Sequence, residues 1–305
     1  MTERTPSEAM ITEQRNPRTL LLDRMDTLEI LSVINEEDAS VAFAVRAAIP
    51  QIAAAVDLIV ARLQRGGRVI YVGAGTSGRI GLLDALEWTP TFGTPPELVE
   101  AVLAGGARAM VEAASTLEDD ASLGARDIAA RHLSAADAVI GLAASGRTPY
   151  VLGALQAARK SGAGTVGLSC NPGQPLEQLA EVPIVVVVGP EVITGSTRMK
   201  AGTAQKMVLN MLSTAAMVRW GRVYSNLMVD FQPSNAKLRG RAQAIVAAAA
   251  GIPLADAGRF LQAAGEQVKP AIVMAVSGCD LPTALAKLDR AGGSVRDALA
   301  AGPPS

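Results

Sequence analysis

Five short apolar runs, separated mainly by stretches of helical spacing, constrain this chain more than any other feature. Arg68-Val-Ile-Tyr-Val-Gly-Ala74, Leu98 to Ala104, Ala138 to Ala144, Thr165 to Ser169 and Pro183 to Val188 are almost continuously apolar. Runs of that kind read as strands buried on both faces. Helical patterns are expected over Gly78 to Trp88, about Ala107 to Asp119, and Pro149 to Ser161. Strands alternating with helices predict an α/β fold with a five-stranded parallel sheet, covered by helices on both faces.

Composition agrees with that architecture and narrows the function. Hydrophobic residues make up 49% of the 305 residues but aromatics only 3%, a balance that suits helices packed on a parallel sheet. Twenty-eight basic residues nearly cancel twenty-nine acidic ones, so no net field attracts nucleic acid or an anionic membrane surface. An anionic ligand has to be caught locally. Cys170 and Cys279 are too few for a disulfide framework and lack the paired spacing of a zinc site. Met1 to Arg18 carries no signal pattern, and no run of about 18 apolar residues occurs. We expect a soluble, cytoplasmic protein with no metal, no nucleic acid and no membrane partner.

Residues 1–19 are polar and lack a helical apolar repeat, so a flexible leader is expected, with order beginning near Leu20. Between Asp26 and Arg65 two helical patterns appear, Leu28, Leu31 and Ile34 at three-residue steps and a dense apolar stretch from Ala44 to Leu63. Both are expected to cover one face of the core. A long apolar helix, about Arg198 to Trp220, follows the fifth strand. After Pro233 the pattern shifts to short Ala-rich helices broken at Gly251, Pro253, Pro270 and Pro282. We place a domain boundary near Gln232, giving a main domain over 20–232 and a small all-helical domain over 233–305.

Two loops at strand ends carry the first chemistry. Gly73-Ala-Gly-Thr-Ser-Gly-Arg79 joins a predicted strand to a predicted helix, the ligand edge of an open α/β sheet. Its glycines let the backbone approach an anion, the helix start offers free N–H groups, and Thr76, Ser77 and Gly78 sit where those groups converge. The same stretch fits a loose dinucleotide fingerprint, although no acidic residue closes the second strand, and it also fits a purely structural turn. Ala144-Ser-Gly-Arg-Thr-Pro149 repeats the arrangement with Ser145, Gly146 and Thr148, and alone it would read as a helix cap. Two such loops on one sheet edge favour a sugar phosphate, with Ser169 and Asn171 after the next strand within reach of ring hydroxyls.

Two carboxylates stand at the ends of apolar stripes. Glu87 shares helical spacing with Ile80 and Leu83, and Glu118 with Val111 and Ala114. An acid closing a core-facing stripe is partly desolvated, which suits proton transfer; the other reading is a solvated helix end, to which Asp119 and Asp120 lend weight. His132, the only histidine, has no partner at metal-ligand spacing and supports no Ser-His-Asp arrangement. The block from Gly189 to Lys206 puts hydroxyls and cations at a helix entrance. There Ser196 or Thr197 as a cap, with Arg198 and Lys200 solvated, is as good a reading as a binding role for Ser196.

Together these blocks resemble the N-acetylmuramic acid 6-phosphate etherase family, part of the sugar isomerase (SIS) domain group and related to the glucokinase regulatory protein. The resemblance runs through Ile11-Thr-Glu13, Thr27-Leu-Glu29, Ile34 to Asp38, Gly73 to Arg79, Ser145 to Tyr150, Ser169 to Pro172, Gly189 to Lys206 and Asn226 to Asp230. It implies an SIS-type three-layer domain, a homodimer, no cofactor, and conversion of the substrate to N-acetylglucosamine 6-phosphate and D-lactate in cell-wall sugar recycling. It also implies catalytic roles for Glu87 and Glu118, phosphate capture by Ser77, Ser145 and Thr148, and sugar contacts from Thr76 and Asn171. Sites in SIS domains lie near the subunit interface, which would bring the leader or the 189–206 block to a neighbouring site. One departure is Trp88 beside Glu87, expected to plug the core rather than narrow the lactyl pocket. The competing readings are an aldose–ketose isomerase of the same fold and a non-catalytic sugar-phosphate regulator.

Overall fold

The computed structural model describes residues 10–111 and 116–300. The chain divides into two compact units: residues up to Ala85 together with Glu97–Ser213, and Leu86–Pro96 together with the chain from Thr214 onward. This differs from a boundary near Gln232, because Leu86–Pro96 and the chain from Thr214 group with the C-terminal residues.

The first unit opens with three helices, α1 (Thr27–Ala39), α2 (Val41–Ala47) and α3 (Ile49–Leu63). Asp26 and Glu29 form a reciprocal capping box at the start of α1, each satisfying a backbone N–H left open by the helix end. The stripe Leu28, Leu31, Ile34 does not cover the core as expected: Leu28 is 74% and Leu31 59% exposed, while α1 buries Val33 and Glu37. The inward face is set by ion pairs, since Glu37 meets Lys200 at 2.5 Å and Arg18 at 3.0 Å.

Then follow β1 (Val69–Gly73), α4 (Gly75–Phe92), β2 (Val99–Leu103), α5 (Ala121–Ala129), β3 (Ala138–Leu142), α6 (Pro149–Lys160), β4 (Gly164–Ser169), α7 (Pro175–Leu179), β5 (Val182–Val185) and α8 (Lys200–Arg219). The five strands are parallel in the order β2-β1-β3-β4-β5. Alternation along each strand splits the side chains between two layers. Ile70, Val72 and Val139 pack with Val151, Ala154 and Leu155 of α6 in one cluster. On the opposite face Tyr71 donates from its hydroxyl to Asp84 of α4 at 2.8 Å. The expected three-layer α/β domain is what forms.

Among the described residues of the span Ala107 to Asp119 the expected helix does not form. Gly105 and Gly106 take left-handed φ of 89° and 62°, and the described residues hold the 3-10 turns Gly106–Met110 and Leu117–Asp119; Val111 is 85% exposed, and Ala114 lies outside the described residues. The leader is ordered earlier than Leu20: Met10 to Thr19 contains 3-10 turns at Ile11–Glu13 and Pro17–Thr19. Asn16 donates to the Pro190 carbonyl at 3.3 Å, and Thr19 to that of Val192 at 2.8 Å. Side-chain hydrogen bonds, invisible to an apolar-periodicity argument, hold it.

The second unit has a short hairpin, β6 (Val223–Tyr224) and β7 (Leu227–Met228), and the helices α9 (Ala236–Ala250), α10 (Leu254–Ala263), α11 (Val268–Ser277), α12 (Leu281–Arg290) and α13 (Val295–Ala300). Pro270 and Pro282 fall in the first turns of α11 and α12, where a missing N–H costs nothing. The core of this unit gathers Val246, Ala257, Val268, Ile272 and Ala284. Trp88, within the Leu86–Pro96 segment, is 1% exposed and so belongs to the core.

Candidate active site

The strand order reverses between β1 and β3: one chain leaves toward β2, the other toward β4. Ligands of open α/β sheets bind in the crevice beyond the carboxyl ends of such a pair. Both loops singled out in the sequence end there. The first is kept tight by contact between glycines, since a Cβ at Gly73 would lie 2.7 Å from the Gly78 α-carbon. That closeness starts α4 immediately after the strand, with its first N–H groups facing the crevice.

A cavity of about 490 Å³ occupies this position, entirely within the first unit. Thr76 and Ser77 line it from the first loop; Ser145, Arg147 and Thr148 from the second; Glu118 and Asp119 from the 3-10 turn after β2; Thr197 from the loop before α8; and Met10 and Glu13 from the N-terminal segment. Ser145 and Thr148 hydroxyls are 3.5 Å apart, and the Arg147 N–H donates to Ser145 Oγ at 3.3 Å. Two helix N-termini, several hydroxyls and one guanidinium share this polar cavity with the carboxylates of Glu13, Glu118 and Asp119, so it offers an anion donors together with groups that can take a proton.

Glu118 is the carboxylate of interest. It is half-buried, and burial, helped by repulsion from Asp119, pushes its pKa above the usual glutamate value. A carboxylate of raised pKa is a stronger base than a solvated one. Glu87 is exposed and is not among the residues lining this cavity. Its neighbours on α4, Leu83 and Leu86, are 49% and 63% exposed and Ile80 is half-buried, so the stripe turns outward toward the end that Glu87 closes.

The remaining sequence candidates separate. Gly78 and Gly146 are buried and shape the loops without lining the cavity. Ser196 is half-buried beside the cavity wall, whereas its neighbour Thr197 lines it. Asn171 is 1% exposed and committed elsewhere: its Oδ1 accepts from the Thr12 N–H at 3.2 Å, and its Nδ2 donates to Thr12 Oγ1 at 2.9 Å and to the Ala144 carbonyl at 3.0 Å. It ties the N-terminal segment to the second loop.

In the 189–206 block the capping reading fails. Glu191, fully buried, caps α8 by accepting from the N–H groups of Lys200 and Ala201, both at 3.0 Å, so neither Ser196 nor Thr197 is the cap. Burial raises the Glu191 pKa against those hydrogen bonds. Lys200 is 2% exposed rather than solvated. Burial also acts to raise the Glu37 pKa, but Lys200, Asn16 and Arg18 outweigh it and hold the carboxyl below its usual range. Sequence reasoning missed Glu13, Arg147 and Thr197 as cavity residues; each lay within a quoted motif, with no pattern to single it out. Among the described residues no group of three or more His, Cys, Asp or Glu is arranged to hold a metal ion. Nor, among the described residues, is any single helix long and apolar enough to cross a membrane.

A hydroxyl-lined cavity at the switch point of a 2-1-3-4-5 parallel sheet is where an open α/β domain takes its ligand, and this one is an SIS domain. The SIS domain family pattern covers residues 119–215, and that of the glucokinase regulatory protein N-terminal SIS domain covers 51–159. A phosphoheptose isomerase from Francisella tularensis shares the fold, with a TM-score of 0.52 at 21% identity over 64% of this chain and 100% of that one. An N-acetylmuramic acid 6-phosphate etherase of Mycolicibacterium smegmatis is 54% identical over 294 residues, 96% of this chain and 99% of the relative. That of Enterobacter sp. is 51% identical over 95% of this chain and 98% of the relative. The chain belongs to the N-acetylmuramic acid 6-phosphate etherase family.

Proposed function

We propose that this chain is a carbon–oxygen lyase that removes the D-lactyl ether from N-acetylmuramic acid 6-phosphate, by elimination and water addition, leaving N-acetylglucosamine 6-phosphate for cell-wall sugar recycling. The observation that carries the reading is the polar cavity in which hydroxyl side chains stand beside a half-buried carboxylate of raised pKa, in a chain more than half identical to an etherase along nearly its whole length.

In the open-chain sugar the aldehyde makes the proton on carbon 2 acidic, and the lactyl ether leaves from carbon 3. Glu118 takes that proton; the reading gives protonation of the departing ether oxygen to Glu87, which stands outside the cavity of its own chain; water then adds at carbon 3 with the roles reversed. Ser77, Ser145 and Thr148, with the N–H groups at the starts of α4 and α6, hold the phosphate, and Thr76 and Ser196 reach the sugar. Asn171 acts at one remove, by fixing the N-terminal segment. Glu87 stands on an outward-facing apolar stretch of α4, a surface that a second copy of the chain would cover; the reading includes a homodimer and a cytoplasmic setting, where sugar phosphates are formed.

The test is D-lactate release from N-acetylmuramic acid 6-phosphate in heavy water, with mass analysis of the amino sugar. Lactate with one deuterium at carbon 2 of the product is expected. Aldose–ketose exchange with the ether intact would replace this reading by an isomerase, and binding without turnover would replace it by a regulator.

A further inference from the structure

A third carboxylate shares the cavity with Glu118 and has no role in the chemistry above. Glu13 closes the 3-10 turn Ile11–Glu13, half-buried, and lines the cavity. Its neighbour Thr12 is fully buried and clamped from three directions. It donates from N–H to Asn171 Oδ1, accepts on Oγ1 from Asn171 Nδ2, and accepts on its carbonyl from the Gly195 N–H at 3.3 Å. Fixing residue 12 fixes where residue 13 projects. Gly195, at a φ of +76°, leaves room for it: a Cβ there would stand 3.0 Å from Glu13 Oε2. Among the described residues, no hydrogen bond or ion pair engages the Glu13 carboxylate. Backbone apparatus this specific, ending in a carboxylate whose oxygens remain open at a polar cavity, serves a ligand rather than the fold.

We propose that Glu13 opens the sugar ring, the step that must precede elimination through carbon 2. The inference rests on the etherase reading, because only the open-chain aldehyde has the acidic carbon 2 proton. The substrate is a cyclic hemiacetal, and neither Glu118 nor Glu87 is assigned to its ring oxygen. One oxygen of Glu13 accepts the proton of the anomeric hydroxyl; the bond from carbon 1 to the ring oxygen breaks, its electron pair going to that oxygen; carbon 1 becomes a carbonyl; and the carboxyl returns the proton to the freed oxygen. Nothing is oxidised or reduced, and Glu13 is regenerated. A carboxylate suits this step because its two oxygens can meet both sites of proton transfer at once. The ordered N-terminal segment acquires a purpose, carrying this group into the cavity.

The test separates ring opening from elimination by using Glu118→Gln, in which carbon 2 chemistry is blocked. Exchange NMR on N-acetylglucosamine 6-phosphate is expected to show Glu118→Gln accelerating interconversion of the anomers, and Glu118→Gln with Glu13→Gln losing that acceleration. In the otherwise wild-type chain, Glu13→Gln should lower kcat for lactate release about 10²-fold with KM within about twofold. It should still add water to the open-chain 2,3-unsaturated aldehyde 6-phosphate at close to the wild-type rate. Unchanged anomer exchange in the double variant, a raised KM at constant kcat, or equal slowing of lactate release and water addition would each overturn the role of Glu13. Absence of lactate from the wild-type chain would instead overturn the etherase reading.

Discussion

In the role proposed for it, Glu118 pairs a use with a cost. Its carboxyl is held away from water and next to Asp119, both of which disfavour the charge. A group whose folded pKa lies above its unfolded value contributes stability below about pH 4.5, the ordinary glutamate value. That contribution is lost as pH rises through the folded pKa. At neutral pH the ionised side chain therefore works against the fold, as groups placed for chemistry often do. Glu118→Gln should lower lactate release by about 10² to 10⁴-fold while raising the melting temperature at pH 7, an advantage that shrinks as pH falls toward 4.5. Thermal unfolding at both pH values checks this, and a lower melting temperature at pH 7 would contradict it. Cys170 shows the opposite use of burial: the thiol, pushed up to about 12 by desolvation and then by Glu191, is inert packing.

At the scale of elements, the entrance to α8 depends on charges with no solvent to dilute them. Lys200 is enclosed and its partner Glu37 comes from α1, 163 positions away in sequence. Removing one member of a buried pair strands the other, at about 3–5 kcal/mol, whereas replacing both with apolar side chains of similar volume is often close to neutral. Glu37→Ala should be destabilised by about that amount in urea unfolding, and Glu37→Leu with Lys200→Met should recover most of it; equal loss in both would show the pair to be a minor contributor. The same pair marks the limit of what was legible in the sequence. The strands were, because continuous β-branched runs leave few alternatives, and so were the two loops, because glycines and hydroxyls between strand and helix have a specific use. The buried face of α1 was not, because a carboxylate was drawn inward by partners far along the chain while Leu28 and Leu31 were left outside. Nor was the tethering of Thr12 to Asn171, a side-chain hydrogen-bond pair that no periodicity announces. The 3-10 turn carrying Glu118 is equally hidden, because the left-handed φ of Gly105 and Gly106 is a backbone property that composition does not announce.

At the scale of the whole molecule, the surface of the first unit makes its own argument. Leu28 and Leu31 on α1 and Phe43 on α2 are 74%, 59% and 66% exposed, and these two helices pack against each other. Single exposed apolar side chains are ordinary, but several large ones on adjoining helices form a surface that water covers poorly. The occupant we expect is a second copy of this chain, because a net charge of −1 gives two copies almost no mutual repulsion to overcome and closed twofold dimers are the commonest way such a surface is buried. Sedimentation at micromolar concentration should give twice the chain's mass. The melting temperature should rise with protein concentration, as mass action requires when association stabilises the folded state. Leu31→Glu combined with Phe43→Glu, both at exposed positions and so tolerable in an isolated subunit, should yield a folded monomer. A wild-type chain that stays monomeric at tens of micromolar, or a double variant that remains a dimer, would remove this face from the account of assembly. If the monomer folds but releases lactate slowly, the dimer completes the site; if it turns over at the wild-type rate, association serves stability alone.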